Sequence, residues 1–329
     1  MASRRVRLGL IGCGANMRNT HLPHLRADGA VDLVGVADPD RSAADALIAK
    51  WDGPVRYYDD YRSMVRSEKP GGVIISSPHA LHYPQALYCL QRGAHVLIEK
   101  PLTISARHTR SLLSIAASSK RVVAVSYQRH YTAAAMHVRH LIRTGRIGEV
   151  RSVFAYVTQN WTHVGGWRLV PELAGGGMFI DTGSHLVAAA LWLTDLVPVE
   201  VSSFFEFAGK AVDINGVVNV RFKGGAIGTL HTLGDAAEHD ERITIHGRKG
   251  SIALYHHAWA LKSVQLNDRP LQIPKRVKST SPDAWFLRSI RSGGRAHEPP
   301  VYAVQVARLT EAAYRSQELG RTVRIRPVK

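Results

Sequence analysis

A glycine-rich segment near the middle of the chain carries an acid and a base at helical spacing. Asp181 and His185 are four positions apart, so they share one face if the segment is a helix. A neutral histidine can take the proton of an alcohol while a hydride leaves the same carbon, and a neighbouring carboxylate can orient it. Gly175, Gly176 and Gly177 precede the pair and predict close approach of a ligand or of another domain. The alternative interpretation is an ion pair on the protein surface.

A second reactive pair, Glu99 and Lys100, is followed by Pro101 and closes an apolar run. A glutamate and a lysine buried at the end of a strand are costly unless they have partners. In a catalytic interpretation Lys100 donates a hydrogen bond to a substrate hydroxyl and favours its ionisation. In a structural interpretation the two side chains simply pair with each other at the surface.

A glycine turn, Gly12-Cys13-Gly14, follows the first apolar run and opens the first helix. The first glycine permits a tight turn, and the second lets backbone N–H groups approach a pyrophosphate at the helix N-terminus. Asp38 ends the next strand, where a carboxylate accepts hydrogen bonds from the adenosine ribose and repels a 2′-phosphate. The pattern favours NAD, and Arg41 nearby keeps NADP open. The alternative is a glycine turn next to a turn-forming aspartate.

These residues lie in a region in which short apolar strands alternate with helices. Near-continuous apolar strands separated by helices predict a parallel sheet covered on both faces. The predicted strands are Val6–Ile11, Val31–Ala37, Gly72–Ser76, Ala94–Ile98 and Val122–Ser126. The predicted helices are Ser42–Trp51, Tyr83–Arg92 and Ser105–Ser118.

The loop after the third strand is a candidate for contact with a nicotinamide ribose, because it lies at the carboxyl end of a central strand. It contains Ser76, Ser77, Pro78, His79 and His82. Taken alone, His82 is better explained as a histidine on a helix face than as a ligand.

The second part of the chain follows a different pattern. Alternating strands joined by short glycine-containing turns predict an antiparallel sheet. These strands are Val150–Val157, Glu200–Phe207, Gly216–Phe222, Ala226–Leu233, Arg242–His246 and Ser251–Leu254. One helix is predicted from near Gly177 to about Leu193, and a last one from Val301 to Leu319. The predicted fold is a doubly wound α/β domain over residues 1–125 and an α+β domain over residues 126–329, with the last helix (about 301–319) packing back on the first domain.

Composition excludes several classes of protein. The 329 residues are 45% hydrophobic, which suffices for two packed cores, and no apolar run approaches the ~20 residues that span a bilayer. The net charge of +17 comes from 43 basic residues, of which 11 are lysines, spread along the chain without a dense block. We therefore expect neither a nucleic-acid partner nor a membrane partner.

The N-terminus has two features of an export signal, but neither interpretation as a signal is supported. Arg4 and Arg5 precede an apolar stretch, and Leu10 to Cys13 resembles a lipoprotein cleavage box, but the stretch Val6–Ile11 is interrupted by Arg7 and Gly9. A signal peptide needs about 7–15 apolar residues in its core. Two cysteines make no disulfide framework, so we expect a cytoplasmic protein.

Over nearly its whole length the chain resembles the glucose–fructose oxidoreductase/inositol dehydrogenase/rhizopine-catabolism (Gfo/Idh/MocA) family, and the matching elements occur in family order. They are Gly12-Cys13-Gly14, Ser77-Pro78 with His82, Gly93 to Val96 leading into Glu99-Lys100-Pro101, Ile142 to Gly148, Trp167-Arg168, and the glycine triplet with Asp181, Gly183 and His185. The Glu-Lys-Pro and Asp…His motifs together are highly specific.

The resemblance implies a Rossmann domain with an open-faced, mainly antiparallel sheet as substrate domain, and dimers or tetramers built through that sheet. It implies a catalytic set in which His185 is the general base, Asp181 orients the substrate or His185, and Lys100 contacts the reacting hydroxyl and the nicotinamide ribose. It also suggests a cis Lys100-Pro101 bond. The cofactor contacts it implies are Gly12, Cys13, Gly14, Ala15, Asn16, Asp38, Arg41, Ser76, Ser77, Pro78, His79, His82, Glu99, Lys100 and Gln128. The substrate contacts are Lys100, Tyr127, Arg129, Trp161, His163, Trp167, Arg168, Asp181 and His185, for which packing between domains is the alternative.

Two positions depart from the family pattern. Met17 stands where a third glycine or an alanine is usual, so the first helix and strand must pack differently, and His79 stands where an asparagine is common. Three histidine pairs have a spacing compatible with a shared metal, namely His21/His24, His79/His82 and His137/His140. None has an accompanying cluster of further ligands, so no metal site is predicted.

The hypothesis is an NAD-dependent oxidoreductase, with NADP left open, that acts on a secondary hydroxyl of a sugar, sugar derivative or cyclitol. One rival is a redox-neutral enzyme of the same fold that uses transient oxidation to cleave a glycoside or eliminate a group. The other is a dinucleotide or sugar sensor without chemistry, against which the retention of Lys100, Asp181 and His185 together argues.

Overall fold

The structure, a computed structural model, describes residues 5–294 and 300–325. The chain divides into two compact units. The first unit comprises the segment up to Thr103 together with 107–128 and 280–301, and the second comprises 104–106, 129–279 and the segment from Tyr302. Apart from the short segment 104–106, the chain stays in the first unit up to residue 128, three residues beyond the predicted boundary, and a later segment returns to it.

The elements of the described chain are named in chain order. The strands are β1 (Val6–Ile11), β2 (Val31–Ala37), β3 (Arg56–Tyr58), β4 (Gly72–Ile75), β5 (His95–Ile98), β6 (Val123–Val125), β7 (Val150–Thr158), β8 (Pro198–Glu206), β9 (Asn215–Phe222), β10 (Ile227–Leu233), β11 (Asp240–Gly247), β12 (Gly250–His257), β13 (Ala260–Leu266), β14 (Arg269–Pro270) and β15 (Val323–Arg324). The helices are α1 (Leu22–Asp28), α2 (Arg41–Ile48), α3 (Tyr61–Glu68), α4 (His82–Gln91), α5 (Ala106–Ser119), α6 (Ala133–Arg143), α7 (Pro171–Ala174), α8 (Met178–Asp181), α9 (Gly183–Thr194), α10 (Pro282–Arg291) and α11 (Tyr302–Leu319). No described helix combines the length and the apolar character needed to cross a membrane.

The first unit contains a six-stranded parallel sheet in the order β3-β2-β1-β4-β5-β6, which confirms the predicted doubly wound fold. The strand order reverses between β1 and β4, and ligands of such sheets bind beyond the carboxyl ends of the strands at this point. Ile11 pairs with Ile75, and Ile75 pairs with Ile98. Gly12, Ser76 and Glu99 consequently follow their strands at the same edge of the sheet.

The core of the first unit explains why residues 280–301 belong to it. Apolar side chains of the central strands, such as Leu8 and Ile74, are fully buried, as expected for strands covered on both faces. Phe286 and Leu287 of α10 are buried in the same cluster. The helix predicted at about 301–319 to pack back on the first domain is α11, which belongs to the second unit and packs there on β8 and α9. The late helix that packs in the first unit is α10.

The second unit contains a nine-stranded sheet in the order β14-β13-β12-β11-β7-β10-β9-β8-β15. Its neighbouring strands are antiparallel except for β7 and β10, so the prediction of a mainly antiparallel sheet is confirmed. Helices α9 and α11 pack on one face. The opposite face leaves large apolar side chains in solvent, since Phe204 is 72% exposed and Ile227 is 55% exposed. Strand β13 was not predicted, because its first three residues are exposed and hide the alternation of the segment.

Candidate functional site

The two glycines of the turn after β1 have different surroundings. Gly12 has φ +84°, and a Cβ on it would lie 2.5 Å from the carbonyl oxygen of Ser76 and 2.7 Å from the carbonyl carbon. Gly14, in contrast, has no atom within 4 Å of the position of a Cβ. Gly12 is therefore required by the protein's own backbone, whereas Gly14 keeps a space open beside the turn, where backbone groups can approach a pyrophosphate.

The carboxylate predicted to select the cofactor is tied to this turn. The backbone N–H of Cys13 donates to Asp38 Oδ2 at 2.6 Å, and the N–H of Asp40 donates to Asp38 Oδ1 at 2.9 Å. Arg41 is exposed, donates from Nε to Asp45 Oδ1 at 2.8 Å, and places its guanidinium carbon 4.5 Å from the ring centroid of Tyr57. Asp38 and Arg41 thus lie on the same edge of the sheet with opposite charges.

The helix that follows the glycine turn is not regular. Ala15 and Asn16 begin it, a π-helical turn covers Met17–His21, and α1 continues from Leu22. Met17 is fully buried in the core of the unit, where the family pattern has a small residue, and the wider turn begins at this residue. Asn16 Nδ2 donates to Ser76 Oγ at 3.3 Å.

The thiol of Cys13 is not a reactive group. Burial, together with the charge of Asp38, raises its pKa to about 12. A thiol held in its protonated form is a poor nucleophile. The group of Cys13 that contributes to the turn is therefore its backbone N–H, which donates to Asp38.

The loop after β4 is held by its histidine. His82 is fully buried, with Nδ1 2.8 Å from the carbonyl oxygen of Pro101 and Nε2 3.0 Å from that of Ser77. Ser77 Oγ donates to Gln85 Oε1 at 2.6 Å, and His79 is 3% exposed with its ring centroid 5.7 Å from that of His82. His82 thus links the Ser77-Pro78 loop to the segment after β5, and it does so as a buried histidine at the start of α4.

Glu99 is buried and has several partners, so the interpretation of a simple surface pair with Lys100 is wrong. Its Oε2 accepts from the backbone N–H of Lys100 at 3.1 Å, and its Oε1 lies 3.0 Å from His21 Nε2 and 3.5 Å from Gln128 Nε2. Although burial alone would raise it, the hydrogen bond and charge of His21 lower the pKa of Glu99 to about 2. The Lys100-Pro101 bond is cis, as the resemblance suggested.

The predicted acid and base of the second unit are both buried. Asp181 is 5% exposed at the end of α8, and His185 is 7% exposed in the first turn of α9. The single helix predicted from Gly177 is broken at Thr182, where the N–H of His185 bonds to the Thr182 carbonyl and Ser184 Oγ donates to the Asp181 carbonyl. The carboxylate of Asp181 accepts from Arg168 Nε at 2.8 Å. The interpretation of Asp181 and His185 as a surface pair is therefore wrong.

The glycine triplet is explained by residues of the second unit. A Cβ on Gly177 would overlap the backbone of Asp213, and one on Gly176 would overlap the hydroxyl of Tyr314. Asp213 is 1% exposed and accepts from the N–H groups of Gly177 and Phe179 at 2.6 and 2.8 Å and from Tyr314 Oη at 2.8 Å. This carboxylate, which no sequence pattern indicated, caps the helix that ends in Asp181.

Trp259 is a further residue beside His185 that the sequence analysis missed. It lies in the two-residue turn between β12 and β13, where Ala258 has φ +46° and Trp259 has φ +72°. Such turns normally contain glycine or asparagine, and a bulky residue at positive φ is a genuine outlier. Trp259 is 49% exposed, and its ring centroid lies 5.8 Å from that of His185 and 4.5 Å from that of His239. The strained turn therefore presents an aromatic surface next to the predicted base.

The remaining predicted substrate residues have different environments. Arg129 has a side chain that is 12% exposed, forms an ion pair with Glu241, and has its guanidinium carbon 5.1 Å from the ring centroid of Trp259. Burial, the largest influence, lowers the pKa of Arg129 despite the attraction of Glu241. The others, in order of increasing exposure, are Tyr127 and Trp161, which are buried, Trp167 and Arg168, which are half-buried, and His163, which is exposed. Lys100, Tyr127 and Gln128 belong to the first unit, and Arg129, Trp161, His163, Trp167, Arg168, Asp181 and His185 belong to the second.

The histidine pairs do not form metal clusters. Within residues 5–294 and 300–325, no group of three or more His, Cys, Asp or Glu side chains is arranged to hold a metal ion. His21 and His24 both contact the carboxylate of Asp283, and the rings of His137 and His140 stack with centroids 6.5 Å apart.

Comparison with known families gives matches to both parts of the chain. Residues 6–127 match the model described as "Oxidoreductase family, NAD-binding Rossmann fold", and residues 135–253 match the GFO/IDH/MocA C-terminal domain. The predicted NAD-binding Rossmann domain is confirmed by the first match.

Individual relatives support the same assignment. D-glucoside 3-dehydrogenase of Escherichia coli (strain K12) is 30% identical over 195 residues, 59% of this chain and 55% of that protein, so the match spans little more than half of the relative. Inositol 2-dehydrogenase of Rhizobium meliloti (strain 1021) is 26% identical over 93% of this chain and 85% of that protein. The WlbA dehydrogenase from Bordetella pertussis, solved in complex with NADH and UDP-GlcNAcA, has the same fold, with a TM-score of 0.84, 23% identity and complete coverage of both chains.

Proposed function

The chain belongs to the GFO/IDH/MocA oxidoreductase family, and from this membership we propose that it transfers hydride between a secondary hydroxyl of a sugar, sugar derivative or cyclitol and a nicotinamide cofactor. The observation that carries the proposal is the junction of α8 and α9. It buries a carboxylate and an imidazole on successive turns and has a half-exposed aromatic ring beside the imidazole. A buried acid–base pair next to an apolar surface suits an alcohol carried on a sugar ring.

In the direction of oxidation, His185 takes the hydroxyl proton while the C–H bond of the same carbon breaks and the carbonyl forms. NAD, when bound, accepts the hydride with both of its electrons. Asp181 orients His185 or the substrate. Its own carboxylate is held by the charged hydrogen bond from Arg168. Lys100 donates to the reacting hydroxyl and so favours its ionisation, and it also contacts the nicotinamide ribose.

The first unit offers a site that fits the cofactor. The open space at Gly14 and the N–H groups at the start of the helix suit the pyrophosphate. Asp38 suits the two hydroxyls of the adenosine ribose and disfavours a 2′-phosphate, so NAD is the cofactor we propose. Arg41 is the residue that would accommodate NADP, but its guanidinium is already paired with Asp45.

On the substrate side we propose that Trp259 covers the apolar face of the sugar or cyclitol ring while His185 reaches its hydroxyl. Two relatives act, by their names, on a glucoside and on inositol, which are both rings with secondary hydroxyls. A half-exposed tryptophan in a strained turn is consistent with a binding role, since backbone strain of this kind clusters at functional sites.

We also propose that the protein forms homodimers or homotetramers through the open face of the second-unit sheet and works in the cytoplasm. Phe154, Phe204 and Ile227 are 44%, 72% and 55% exposed on strands of that sheet. Exposed large apolar side chains on one surface are typical of an interaction site.

The test is His185→Ala against the matched control His140→Ala, which replaces an exposed histidine of α6. Loss of the general base should reduce kcat by roughly 10²–10⁴-fold, while the dissociation constant for NADH stays within experimental error. The His140 variant should behave as the unmodified protein. Equal loss of turnover and NADH binding in the His185 variant would contradict the assigned role.

A further inference from the structure

The proposed reaction does not use His21, a fully buried histidine of the first unit that contacts two acidic side chains. Its ring is fully shielded from solvent, with Nδ1 2.6 Å from Asp283 Oδ1 and Nε2 3.0 Å from Glu99 Oε1. Both carboxyl side chains are themselves buried, with relative exposures of 1% and 9%. A histidine therefore lies between two buried acids.

The geometry restricts where the protons are. An ionised carboxylate only accepts hydrogen bonds, and a neutral imidazole has one N–H and one bare nitrogen. Two short contacts to two carboxylates therefore require either an imidazolium with both nitrogens donating, or a neutral ring facing one protonated acid. In each case the three side chains together hold one more proton than a neutral imidazole and two ionised carboxylates.

The electrostatics favour the imidazolium. Burial alone would lower the pKa of His21, but the charge and hydrogen bond of Asp283 and those of Glu99 outweigh it and raise the pKa to about 10. Burial would raise the pKa values of the two acids, yet the charged ring lowers both to about 2. The three groups agree in placing the proton on His21.

The other polar groups around the network complete it. Asp283 Oδ2 lies 2.8 Å from Nδ1 of His24, whose side chain is 42% exposed, so the acid has a histidine on each oxygen. On the other side, Glu99 receives the backbone N–H of Lys100 at 3.1 Å, and Gln128 and Ser126 also donate to it. The side-chain charge of Lys100 acts on Glu99 in the same direction as that of His21.

The network joins three elements of the first unit. His21 ends the π-helical turn after the glycine turn, Asp283 lies in the first turn of α10, and Glu99 directly follows β5. The imidazole is therefore the link between the helix of the nucleotide-binding turn and the strand end that carries Lys100.

We propose that His21 is a permanently charged positioning residue, which keeps Glu99 ionised and turned toward the backbone N–H of Lys100. The charge of His21 is a property of the folded protein and holds whatever the reaction is. The consequence for catalysis rests on the proposed function, because it acts through Lys100. Without the cation, the two buried carboxylates would lose the partner they share and keep only His24 on Asp283 and the backbone N–H and charge of Lys100 on Glu99, so one of them would have to take up a proton or turn away.

The direct test is nitrogen-15 NMR of the whole protein labelled in its histidine side chains. The His21 signals are those that disappear in His21→Gln. We expect two ring N–H groups that persist from about pH 6 to about pH 9, a range that spans the ordinary histidine pKa of about 6.5. A ring with one bare nitrogen near neutral pH, or one that titrates near that ordinary value, would overturn the proposal.

A charge-compensation series tests the same claim by thermal unfolding. In the unmodified protein, Asp283→Asn should lower the midpoint, because the imidazolium loses a charged hydrogen bond. In the His21→Gln background the same substitution should raise the midpoint, because it removes one of two buried carboxylates that have lost the cation they shared. Lowering of the midpoint in both backgrounds would overturn a charged role for His21 and leave only a packing role.

The positioning of Lys100 has its own readout, the backbone amide proton of Lys100. Its chemical shift should move upfield in His21→Gln, where Glu99 no longer accepts as a carboxylate, and should not move in His140→Gln. An unmoved signal in the His21 variant would overturn the positioning role. Since none of these measurements uses turnover, they remain informative if the proposed dehydrogenase activity is not found, and kcat of the same two variants tests the activity separately.

Discussion

The two glycines of the first turn give opposite predictions from the same substitution. At Gly12 an alanine must adopt φ +84°, which costs about 1–2 kcal/mol in the left-handed region. Its Cβ also overlaps the backbone of Ser76 at 2.5–2.7 Å, and forced repacking of that kind adds about 1–3 kcal/mol. Gly12→Ala should therefore reduce the unfolding free energy of the first unit by roughly 2–5 kcal/mol, the sum of the two costs.

Gly14→Ala is the matched variant, because its Cβ meets no atom within 4 Å and its φ is not positive. We expect its stability to be unchanged or higher by up to about 1 kcal/mol, since alanine reduces the entropy of the unfolded chain. Its methyl group fills the space assigned to the pyrophosphate, so NADH affinity should fall roughly tenfold or more, a loss of about 1.4 kcal/mol or more.

The assay is thermal unfolding without nucleotide, together with NADH titration followed by fluorescence. We expect a midpoint several degrees lower for Gly12→Ala, and weakened NADH binding with an unchanged midpoint for Gly14→Ala. A Gly12 variant as stable as the unmodified protein would refute the steric reasoning. A Gly14 variant that binds NADH normally would refute the position assigned to the pyrophosphate.

Four further predictions concern the cofactor, the substrate, the capping carboxylate and the buried histidine. Asp38→Asn keeps an acceptor for the turn but removes the charge, so the ratio of kcat/KM for NADP to that for NAD should rise about tenfold or more; an unchanged ratio would show that Asp38 does not select the cofactor. Trp259→Ala should raise KM for the sugar about tenfold, while Trp259→Phe keeps the ring and stays near the unmodified value; equal effects of the two would contradict a stacking role. Asp213→Ala leaves three donors without an acceptor and should lower the unfolding free energy measured in urea by roughly 3–9 kcal/mol. Asp213→Asn retains an acceptor and should lower it less, so similar losses in the two variants would argue against the cap. The pKa of His21 is about 10 in the folded protein and about 6.5 in the unfolded chain, so between these pH values the folded state holds one more proton than the unfolded state. The unfolding free energy should therefore fall as pH rises through this range, and this slope should flatten in His21→Gln. An equal slope in both proteins would be evidence against the raised pKa.

The sequence predicted most of the fold because its elements carry their own signals. The strands Val6–Ile11 and Val31–Ala37 have the predicted bounds, since each is a β-branched run closed by glycine or by Asp38. The short strand β3 and the partly exposed β13 have no such pattern and were missed. The return of residues 280–301 to the first unit depends on the packing of Phe286 and Leu287, which the helical period of α10 alone does not reveal.

The site could be predicted only where local motifs define it. The glycine turn, Asp38 and the Asp…His spacing are short-range patterns, and the structure gives each of them a specific environment. The partner of Asp181 is Arg168, and the cap of α8 is Asp213, which lies more than thirty residues away in the chain. Pairings of this kind are set by tertiary packing, so spacing does not show them. Trp259 had one local signal, an Ala-Trp turn between two strands at positions that usually require glycine or asparagine.

The most direct test of the proposed function is the appearance of NADH when the purified protein is mixed with NAD and a panel of sugars, sugar acids and inositols. We expect that the near-ultraviolet absorbance of NADH grows with one class of ring alcohol, that NADP is a poorer cofactor, and that His185→Ala abolishes the signal while His140→Ala does not. Silence across the panel, with nucleotide found tightly bound after denaturation, would contradict net hydride transfer and favour a redox-neutral enzyme.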